Sequence, residues 1–362
     1  MKRSLTPSRI LVPFLLALSL GTVAISTAHA AAFTVTSLAD SGAGTLRQAI
    51  TDANTAAGAD TISFAVSGTV TLASTLPPIT DASGVTISGT GQTVIISGNN
   101  AVVVMQVATG ALLTLNNLTI ANGSGGGGGL SNSGTANISN STFVANSAAG
   151  SFGAAINSGG GSTLNVTNST FSANSATGGF GGAIYSNSGT VTVTNSTFSG
   201  NSATGGFGAA VFNNGVGGVT LRNTIVTNSV GTGNCSGAIA NGGNNIDSAA
   251  TCGWGSANGS MSGTDPLIGP LANNGGVTLT FALFTGSPAI NGVTFAAPNS
   301  APTTDQRGVA RPQGAGFDIG AYEFAVAVAQ VAPIPTPTVN VWALTLLVLL
   351  AGLSAVRYLR RR

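Results

Sequence analysis

The sequence predicts an all-β protein: a right-handed parallel β-helix with a short capping helix near its N-terminus and an apolar helix near its C-terminus. Two observations carry this prediction. From Thr61 onward, short β-branched runs alternate with Gly, Asn and Ser, as in a series of short strands. A pair of segments also recurs with a period in the twenties, which indicates stacked supersecondary units. The 362 residues are enough to bury a large core.

The first 30 residues are typical of a secretory signal peptide. A basic start with Lys2, Arg3 and Arg9 precedes an apolar run over residues 10–24, and Ala28-His29-Ala30 fits a small-residue cleavage site. We therefore expect export, with cleavage by signal peptidase after Ala30. Residues 31–60 then form an N-terminal cap, in which Leu46, Ile50 and Ala53 share one face of a helix that covers one end of the following domain.

Residues 61–245 carry the repeat. The pattern F-x-x-N begins at Phe143, Phe171 and Phe198, and a second pattern, G-[GA]-A-[IV], follows each Phe after ten residues. Each unit contains three short strands, so one unit forms one coil of a parallel β-helix, and equivalent residues stack about 4.8 Å apart. The predicted interior ladder consists of Ile120, Phe143, Phe171, Phe198 and Ile225.

Two further rows are predicted from the same repeat. Asn140, Asn168 and Asn195 lie three residues before each Phe and suit turns whose amides bond along the stack. A second set of aromatic residues has two interpretations, either a row of exposed rings that grips a glycan or a second buried ladder, and the ladder is favoured. This set comprises Phe152, Phe180, Phe207, Tyr185 and Phe212.

Residues 246–324 lose the period and are expected to close the domain. Cys235 and Cys252 are the two cysteines of an exported chain, which favours a disulfide. A charged cluster follows, for which we expect a structural ion-pair network that closes the C-terminal end of the β-helix; the alternative is a small catalytic or Ca²⁺ site. The cluster consists of Asp305, Arg307, Arg311, Asp318 and Glu323.

Charge excludes several functions. Without the two termini, four arginines and nine acidic residues remain, a formal net charge of 4 − 9 = −5, so a nucleic-acid-binding face is not expected. The single histidine, His29, lies in the predicted signal peptide, which leaves no usual zinc site. Between Ala82 and Ile246 the sequence has no Asp, Glu, Lys or His, so the repeats lack acid–base groups. No cofactor is predicted.

The C-terminal tail is predicted to enter a membrane. A Pro-rich linker, residues 325–338, precedes a tail, residues 339–362, whose apolar run is followed by four arginines. A spanning helix needs about 20 apolar residues, and the arginines favour a cytoplasmic end. We therefore expect this helix to place the chain in the inner membrane, at least transiently.

Several motifs resemble known families. The pairing of F-x-x-N with G-G-A-I resembles the repeats of chlamydial polymorphic outer-membrane proteins and of pectate-lyase-like β-helices. The segments "GTLRQAITDAN", "DPLIGPLANNGG", "GSPAIN", "TDQRGVARP" and "FDIGAYEF" resemble secreted choice-of-anchor β-helix proteins. Pro337, Thr338 and Trp342 resemble an IPTL-type sorting domain. That resemblance implies a Gram-negative host, cleavage by an exosortase-like enzyme, and a final location at the cell surface or outside the cell.

The sequence thus predicts a non-catalytic, surface-associated β-helix for adhesion or contact with extracellular matrix, with a glycan or another surface ligand as its partner. The alternative is a polysaccharide lyase or glycoside hydrolase that acts on an acidic glycan, because the pectate-lyase-like fold also serves such enzymes. The charged cluster would then supply the reacting groups.

Overall fold

A computed structural model describes residues 29–215, 217–294, 301–325 and 341–360. The chain divides into two compact units, Met1–Phe324 and Ala325–Arg362. The first unit is an all-β parallel solenoid, in which successive strands of each sheet pair in parallel, one turn apart in sequence. The predicted all-β, parallel β-helix architecture is therefore confirmed.

Three parallel sheets form the solenoid. Sheet A has nine strands: Ala32–Val35, Asp60–Phe64, Val85–Ser88, Leu112–Asn116, Thr135–Ser139, Thr163–Thr167, Thr190–Thr194, Val219–Arg222 and Ile239–Asn241. Sheet B has nine: Gly68–Thr71, Val94–Ser97, Thr119–Ala121, Thr142–Val144, Thr170–Ser172, Thr197–Ser199, Ile225–Thr227, Ile246–Asp247 and Met261–Ser262. Sheet C has six: Met105–Val107, Leu130–Asn132, Ile156–Ser158, Ile184–Ser186, Val211–Asn213 and Cys235–Ser236.

Two small sheets complete the unit. Ser202–Phe207 pairs in parallel with Val230–Thr232, and Ile268–Ala272 pairs in an antiparallel hairpin with Thr280–Leu283. A short 3-10 helix spans Ala257–Gly259.

The interior ladder lies where the repeat predicts it, with one change of register. Phe143, Phe171 and Phe198 pair in sequence along sheet B, are fully buried, and stack with ring centroids 5.2 and 4.5 Å apart. Ile120 continues the ladder as the partner of Phe143.

The predicted place of Ile225 in this ladder is wrong. Phe198 pairs with Val226, whereas Ile225 pairs with Thr197 and therefore faces outward. Ile225 is nevertheless buried, because it belongs to a second apolar cluster with Ile319 of the C-terminal segment. The register follows the turn asparagine: Val226 lies three residues after Asn223, as Phe198 lies three after Asn195.

The predicted N-terminal helix is present as Leu46–Ala53. The hydroxyl of Thr45 caps it by accepting from the backbone N–H of Gln48 over 3.3 Å. Its buried face packs on the first two strands of sheet A, at the N-terminal end of the solenoid. The expected capping role therefore fits its position.

The charged C-terminal segment lies along the side of the solenoid, not across its end as expected. Gln306 accepts from the hydroxyl of Thr170 over 2.7 Å and donates to that of Thr142 over 3.0 Å. Further along, the Ala321 backbone N–H donates to the hydroxyl of Thr197 over 3.0 Å. The outward threonines of sheet B thus supply polar partners for this segment, and the segment buries them.

The second unit contains one helix, Val341–Leu359, of 19 residues. In the part of the chain that the structure describes, no helix is long and apolar enough to cross a membrane, so the predicted membrane-spanning helix is not supported. Of the predicted sorting residues, Trp342 lies in this helix, whereas Pro337 and Thr338 fall outside the described residues. Residues 1–28 of the predicted signal peptide also fall outside them.

Candidate functional site

The outward side of sheet A presents two rows of side chains, which we call the polar face. Each row follows the strand pairing, with one residue per turn over seven turns. The first row is Thr61, Thr86, Thr114, Asn137, Asn165, Thr192 and Thr220. The second row is Ser63, Ser88, Asn116, Ser139, Thr167, Thr194 and Arg222.

The strand alternation produces this face. In Thr190–Thr194, for example, Val191 and Val193 are fully buried, while the three threonines that alternate with them are exposed or half-buried. Successive rungs of a parallel sheet are about 4.8 Å apart, so the face is a regular array of hydroxyl and amide groups. Some of them bond along the row, as where Asn165 Nδ2 donates to Asn137 Oδ1 over 2.9 Å.

The polar face is almost without charge. Arg222 is its one ionic side chain, and its Nε donates to the carbonyl of Gly242 over 3.1 Å. The remaining 13 positions of the two rows are Thr, Ser or Asn, which donate and accept hydrogen bonds but do not titrate near neutral pH. The face can therefore bind a polar partner but offers no group for proton transfer.

The second set of aromatic residues forms two interleaved stacks beside sheet C. Phe180 lies 5.6 Å from Phe152 and 5.8 Å from Phe207, ring centroid to centroid, with nearly parallel planes. The inner pair, Tyr185 and Phe212, lies 5.6 Å apart. Since the rings cover one another's faces, the stacks offer mainly ring edges to solvent. The rings therefore stack as a ladder, but the predicted burial holds only for Tyr185: Phe152, Phe180 and Phe212 are half-buried, and Phe207, which is 51% exposed, ends the outer row.

The predicted turn row of asparagines is only partly an amide ladder. Asn140, Asn168 and Asn195 all have the left-handed backbone that the sequence predicts. Asn140 Nδ2 bonds along the stack to Asn116 Oδ1 over 3.1 Å. Asn168 and Asn195 donate to backbone carbonyls of the C-terminal segment, which covers this side of the solenoid. Asn195 Oδ1 nevertheless accepts along the stack from Asn223 Nδ2 over 3.0 Å, and Asn223 Oδ1 accepts from Asn244 Nδ2 over 3.1 Å.

A second amide ladder lies inside, at the last position of F-x-x-N. Asn146 Nδ2 donates to Asn174 Oδ1, and Asn174 Nδ2 donates to Asn201 Oδ1, each over 2.9 Å. All three side chains are buried. The last Asn of F-x-x-N recurs in every full repeat, so the sequence does contain a signal for this ladder. The position of this Asn, three residues after the buried Phe, does not show by itself that the side chain is interior.

The predicted disulfide is present between Cys235 and Cys252, whose Cα atoms lie 4.8 Å apart. Trp254 packs beside it in the main core, and its indole N–H donates to the carbonyl of Ile239, in the last strand of sheet A. Together they fill the interior of the last turns, a role that the sequence did not reveal for Trp254.

Two buried ion pairs organise the charged cluster. Arg307 donates from Nε and Nη2 to Asp305 Oδ2 over 2.8 and 2.6 Å, and its guanidinium lies 3.6 Å from the ring centroid of Tyr322. Arg311 Nη1 lies 3.0 Å from Glu323 Oε2, with both side chains fully buried. The five predicted residues therefore do lie together.

The carboxylates of the cluster are engaged by the backbone as well. Asp305 Oδ1 accepts from the N–H groups of Arg307 and Val309, and Glu323 Oε1 accepts from the N–H of Gln313. The oxygens of Asp318 accept from the N–H groups of Asn291 and Phe324 over 2.7 and 2.5 Å. Carboxylates bonded in this way hold loops in place, which fits the structural interpretation of the cluster.

Burial shifts the pKa values of two side chains in the cluster. Desolvation raises the pKa of Asp318 to about 6, against the effect of its hydrogen bonds from Phe324 and Asn291. Desolvation also lowers the pKa of Arg311 from its ordinary value, while Glu323, Asp305 and Asp318 oppose this change. Over the described ranges, no group of three or more His, Cys, Asp or Glu side chains is placed to hold a metal ion.

No protein-family model matches this sequence, and no curated protein matches it either.

Proposed function

We propose that this protein is exported and acts without catalysis at the cell surface or in the surrounding matrix, where its polar face binds a neutral, hydroxyl-rich polysaccharide. The observation that carries the proposal is the polar face itself. Two parallel rows of hydroxyl and amide groups continue over seven turns of sheet A, and 13 of these 14 positions are uncharged.

A polymer with a repeating structure is the partner that such a face fits best. Each turn of the solenoid adds one hydroxyl or amide group to each row, so a long chain meets the same groups at every step. Individual hydrogen bonds to solvated groups contribute about 1 kcal/mol or less, and binding therefore needs many of them in register. Seven turns supply that number without a deep pocket.

Charge favours a neutral polysaccharide over an acidic one. The region between the two predicted terminal signals has the formal net charge 4 − 9 = −5, and Arg222 is the only cation on the polar face. An acidic glycan would meet repulsion from the protein as a whole and little local compensation. A neutral glycan avoids that penalty.

The charged cluster does not favour the alternative role in acidic-glycan cleavage. Its arginines pair with Asp305 and Glu323, and the remaining carboxylate oxygens accept backbone hydrogen bonds. A lyase needs a base that reaches its substrate, and a hydrolase needs two carboxylates on either side of the scissile bond. Buried arginines and carboxylates that are paired with one another or with the backbone meet neither requirement in this conformation.

Export and sorting form the second part of the proposal. Signal peptidase would cleave after Ala30, and an exosortase-like enzyme would act near Pro337 and Thr338 before release to the surface of a Gram-negative cell. The supporting features are the small residues at Ala28 and Ala30 and the ordered series of Pro337, Thr338 and Trp342. The intact mass of the protein from its host tests both cleavages.

Co-sedimentation with insoluble polysaccharides tests the binding proposal. We expect the exported protein to sediment with at least one neutral glucan or chitin and to remain in solution with pectate and alginate at the same ionic strength. Thr192→Glu, on the sixth of the seven turns of the polar face, should reduce binding about tenfold or more, because it buries a charge beneath the bound chain. The matched control is Thr204→Glu, which places the same charge at an exposed position of the strand Ser202–Phe207, outside sheet A.

Three outcomes would contradict the proposal. Binding that survives Thr192→Glu would move the site elsewhere, and equal loss in both variants would indicate a general charge effect. Release of reducing ends or unsaturated products from pectate or alginate would show the alternative, enzymatic function.

A further inference from the structure

Asp60 holds a buried carboxylate at the start of the second strand of sheet A. The residue is 1% exposed. Its Oδ1 accepts a hydrogen bond from the backbone nitrogen of Ala31 over 2.7 Å. Its Oδ2 is buried and has no hydrogen-bond partner among the described residues.

The buried carboxylate of Asp60 costs free energy if the nitrogen of Ala31 is an ordinary peptide amide. A buried carboxylate usually pairs with a cation, and a buried oxygen without a donor forfeits its hydration. The ion pairs between described side chains join Arg47 to Asp40, Arg307 to Asp305 and Arg311 to Glu323, and none of them includes Asp60. An amide nitrogen at Ala31 supplies one N–H and no charge.

We infer that Ala31 is the N-terminal residue of the functional protein and that its free α-ammonium group pairs with Asp60. Hydrolysis of the Ala30–Ala31 peptide bond consumes one water and leaves a carboxylate on Ala30 and an amine on Ala31, which takes up a proton. The resulting ammonium has three N–H donors and a positive charge in place of one amide N–H. One donor keeps the bond to Oδ1, and a second reaches Oδ2. The ammonium therefore supplies both the missing positive charge and the missing hydrogen bond at Asp60.

Strand pairing fixes the new terminus beside the carboxylate. The carbonyl of Ala31 accepts from the N–H of Thr61 over 2.9 Å, and Ala32 pairs with Thr61 in sheet A. The N–H of Asp60 donates in turn to the carbonyl of Gly84 over 2.8 Å. These contacts do not involve residues 29 and 30, which are exposed, so their removal leaves the first strand in place.

The inference goes beyond a cleavage site, because it makes the processed end part of the fold. Before cleavage none of the ion pairs between described side chains provides a counterion for Asp60, and after cleavage the new ammonium does so and closes the first strand onto the sheet. Removal of the leader should therefore stabilise the N-terminal end of the solenoid. The inference shares only the export step with the proposed function, and polysaccharide binding does not enter its test.

The test begins with the full chain expressed for export in a Gram-negative host. N-terminal sequencing of the exported protein should begin at Ala31, with the sequence Ala-Ala-Phe-Thr. The reaction of the α-amino group with an amine-labelling reagent is then followed against pH. We expect the midpoint of this titration to lie about one pH unit or more above that of the urea-unfolded protein, because a nearby carboxylate favours the ammonium form.

Asp60→Asn should return the midpoint to that of the unfolded protein, while the control Asp52→Asn, a change in the N-terminal helix, should leave it raised. Steric protection alone would slow labelling at every pH without moving the midpoint. An N-terminus other than Ala31, or a midpoint equal in the folded and unfolded protein, would overturn the inference. The wild-type titration decides the question even if Asp60→Asn does not fold.

Discussion

The side-chain nitrogen of Asn174 lies 2.9 Å from the side-chain oxygen of Asn201, one turn further along the solenoid, and both residues are fully buried. Asn174 also donates to the carbonyl of Phe143 over 3.0 Å and accepts from the backbone N–H of Asn146 over 3.1 Å. The Asn174 side chain thus satisfies polar groups on the turn before it and the turn after it, which ties the interior amide ladder to the aromatic ladder beside it.

Asn174→Ala is therefore expected to be strongly destabilising. It leaves several buried donors and acceptors without partners, at roughly 1–3 kcal/mol for each group that water does not reach. We expect the free energy of unfolding in urea to fall by about 3 kcal/mol or more. Asn165→Ala is the control, because Asn165 also bonds to an asparagine one turn away but lies exposed on the polar face. Equal losses in the two variants would contradict this account.

Residues 168–180 and 195–207 are identical except at Ala173 and Gly200, which provides a natural comparison. Both residues have left-handed backbone, with φ of 53° and 70°. This conformation costs an alanine about 1–2 kcal/mol but costs glycine little, although glycine loses more entropy on folding. We expect Ala173→Gly to raise the free energy of unfolding by about 0.5 kcal/mol and Gly200→Ala to lower it by about 1 kcal/mol.

Gly200→Ala has room for its added methyl group, because the nearest atom to a Cβ at Gly200 is the nitrogen of Ala173, 4.0 Å away. Urea unfolding of the two single variants measures both effects. A gain in stability from Gly200→Ala would show that the entropy of the unfolded chain outweighs backbone strain at this turn.

Asp318 should make stability depend on pH in a defined direction. Its pKa in the folded protein is raised to about 6 from an ordinary value of 3.8, so the folded state binds the proton more tightly than the unfolded state. The contribution of Asp318 is therefore most favourable below pH 4. It is lost progressively as pH rises from about 4 to 6, and it is constant above that range.

Comparison with Asp318→Asn isolates this contribution, because the other carboxylates are common to both proteins. The difference in urea midpoint, wild type minus variant, should decrease between pH 4 and 6 and then level off. A difference that grows with pH over this range would mean that hydrogen bonds from Asn291 and Phe324 outweigh desolvation at this carboxylate.

The disulfide should contribute measurably to the end of the solenoid. It joins residues 17 apart, and a loop of about this size gives roughly 3 kcal/mol through restriction of the unfolded chain. We expect the double change Cys235→Ser and Cys252→Ser to lower the free energy of unfolding by about that amount. Reductant should produce a similar loss in the wild type and none in the double variant, which calorimetry with and without reductant can measure.

The sequence predicted the local, repeated features and missed the ones that depend on distant contacts. The Phe ladder, the left-handed asparagine turns and the N-terminal helix all follow from patterns within one or two coils. Ile225 begins an I-x-x-N pattern that ends at Asn228 and imitates F-x-x-N, but the turn at Asn223 sets the register and places Val226 in the ladder. An imperfect repeat leaves such a choice open until the strand pairing is known.

The position of the charged segment could not be read from local pattern at all. Gln306 bonds to Thr170, which is 136 residues earlier, and nothing near either residue indicates that partner. The two rows of the polar face could not be located from the sequence, because they appear only once seven strands of sheet A are aligned by their pairing. The sequence around Asp60 likewise does not indicate that its carboxylate is buried or that it bonds to Ala31.

Arg307→Ala tests whether the charged cluster is structural. The change leaves the buried carboxylate of Asp305 without its counterion and removes bonds to the backbone carbonyls of Asn274 and Glu323. Loss of one partner of a buried pair typically costs about 3–5 kcal/mol, so the melting temperature should fall by several degrees. Arg307→Lys keeps the charge but loses the forked contact to Asp305, and it should lie between wild type and Arg307→Ala. A melting temperature unchanged in Arg307→Ala, together with loss of a measured activity, would assign the cluster a functional role instead.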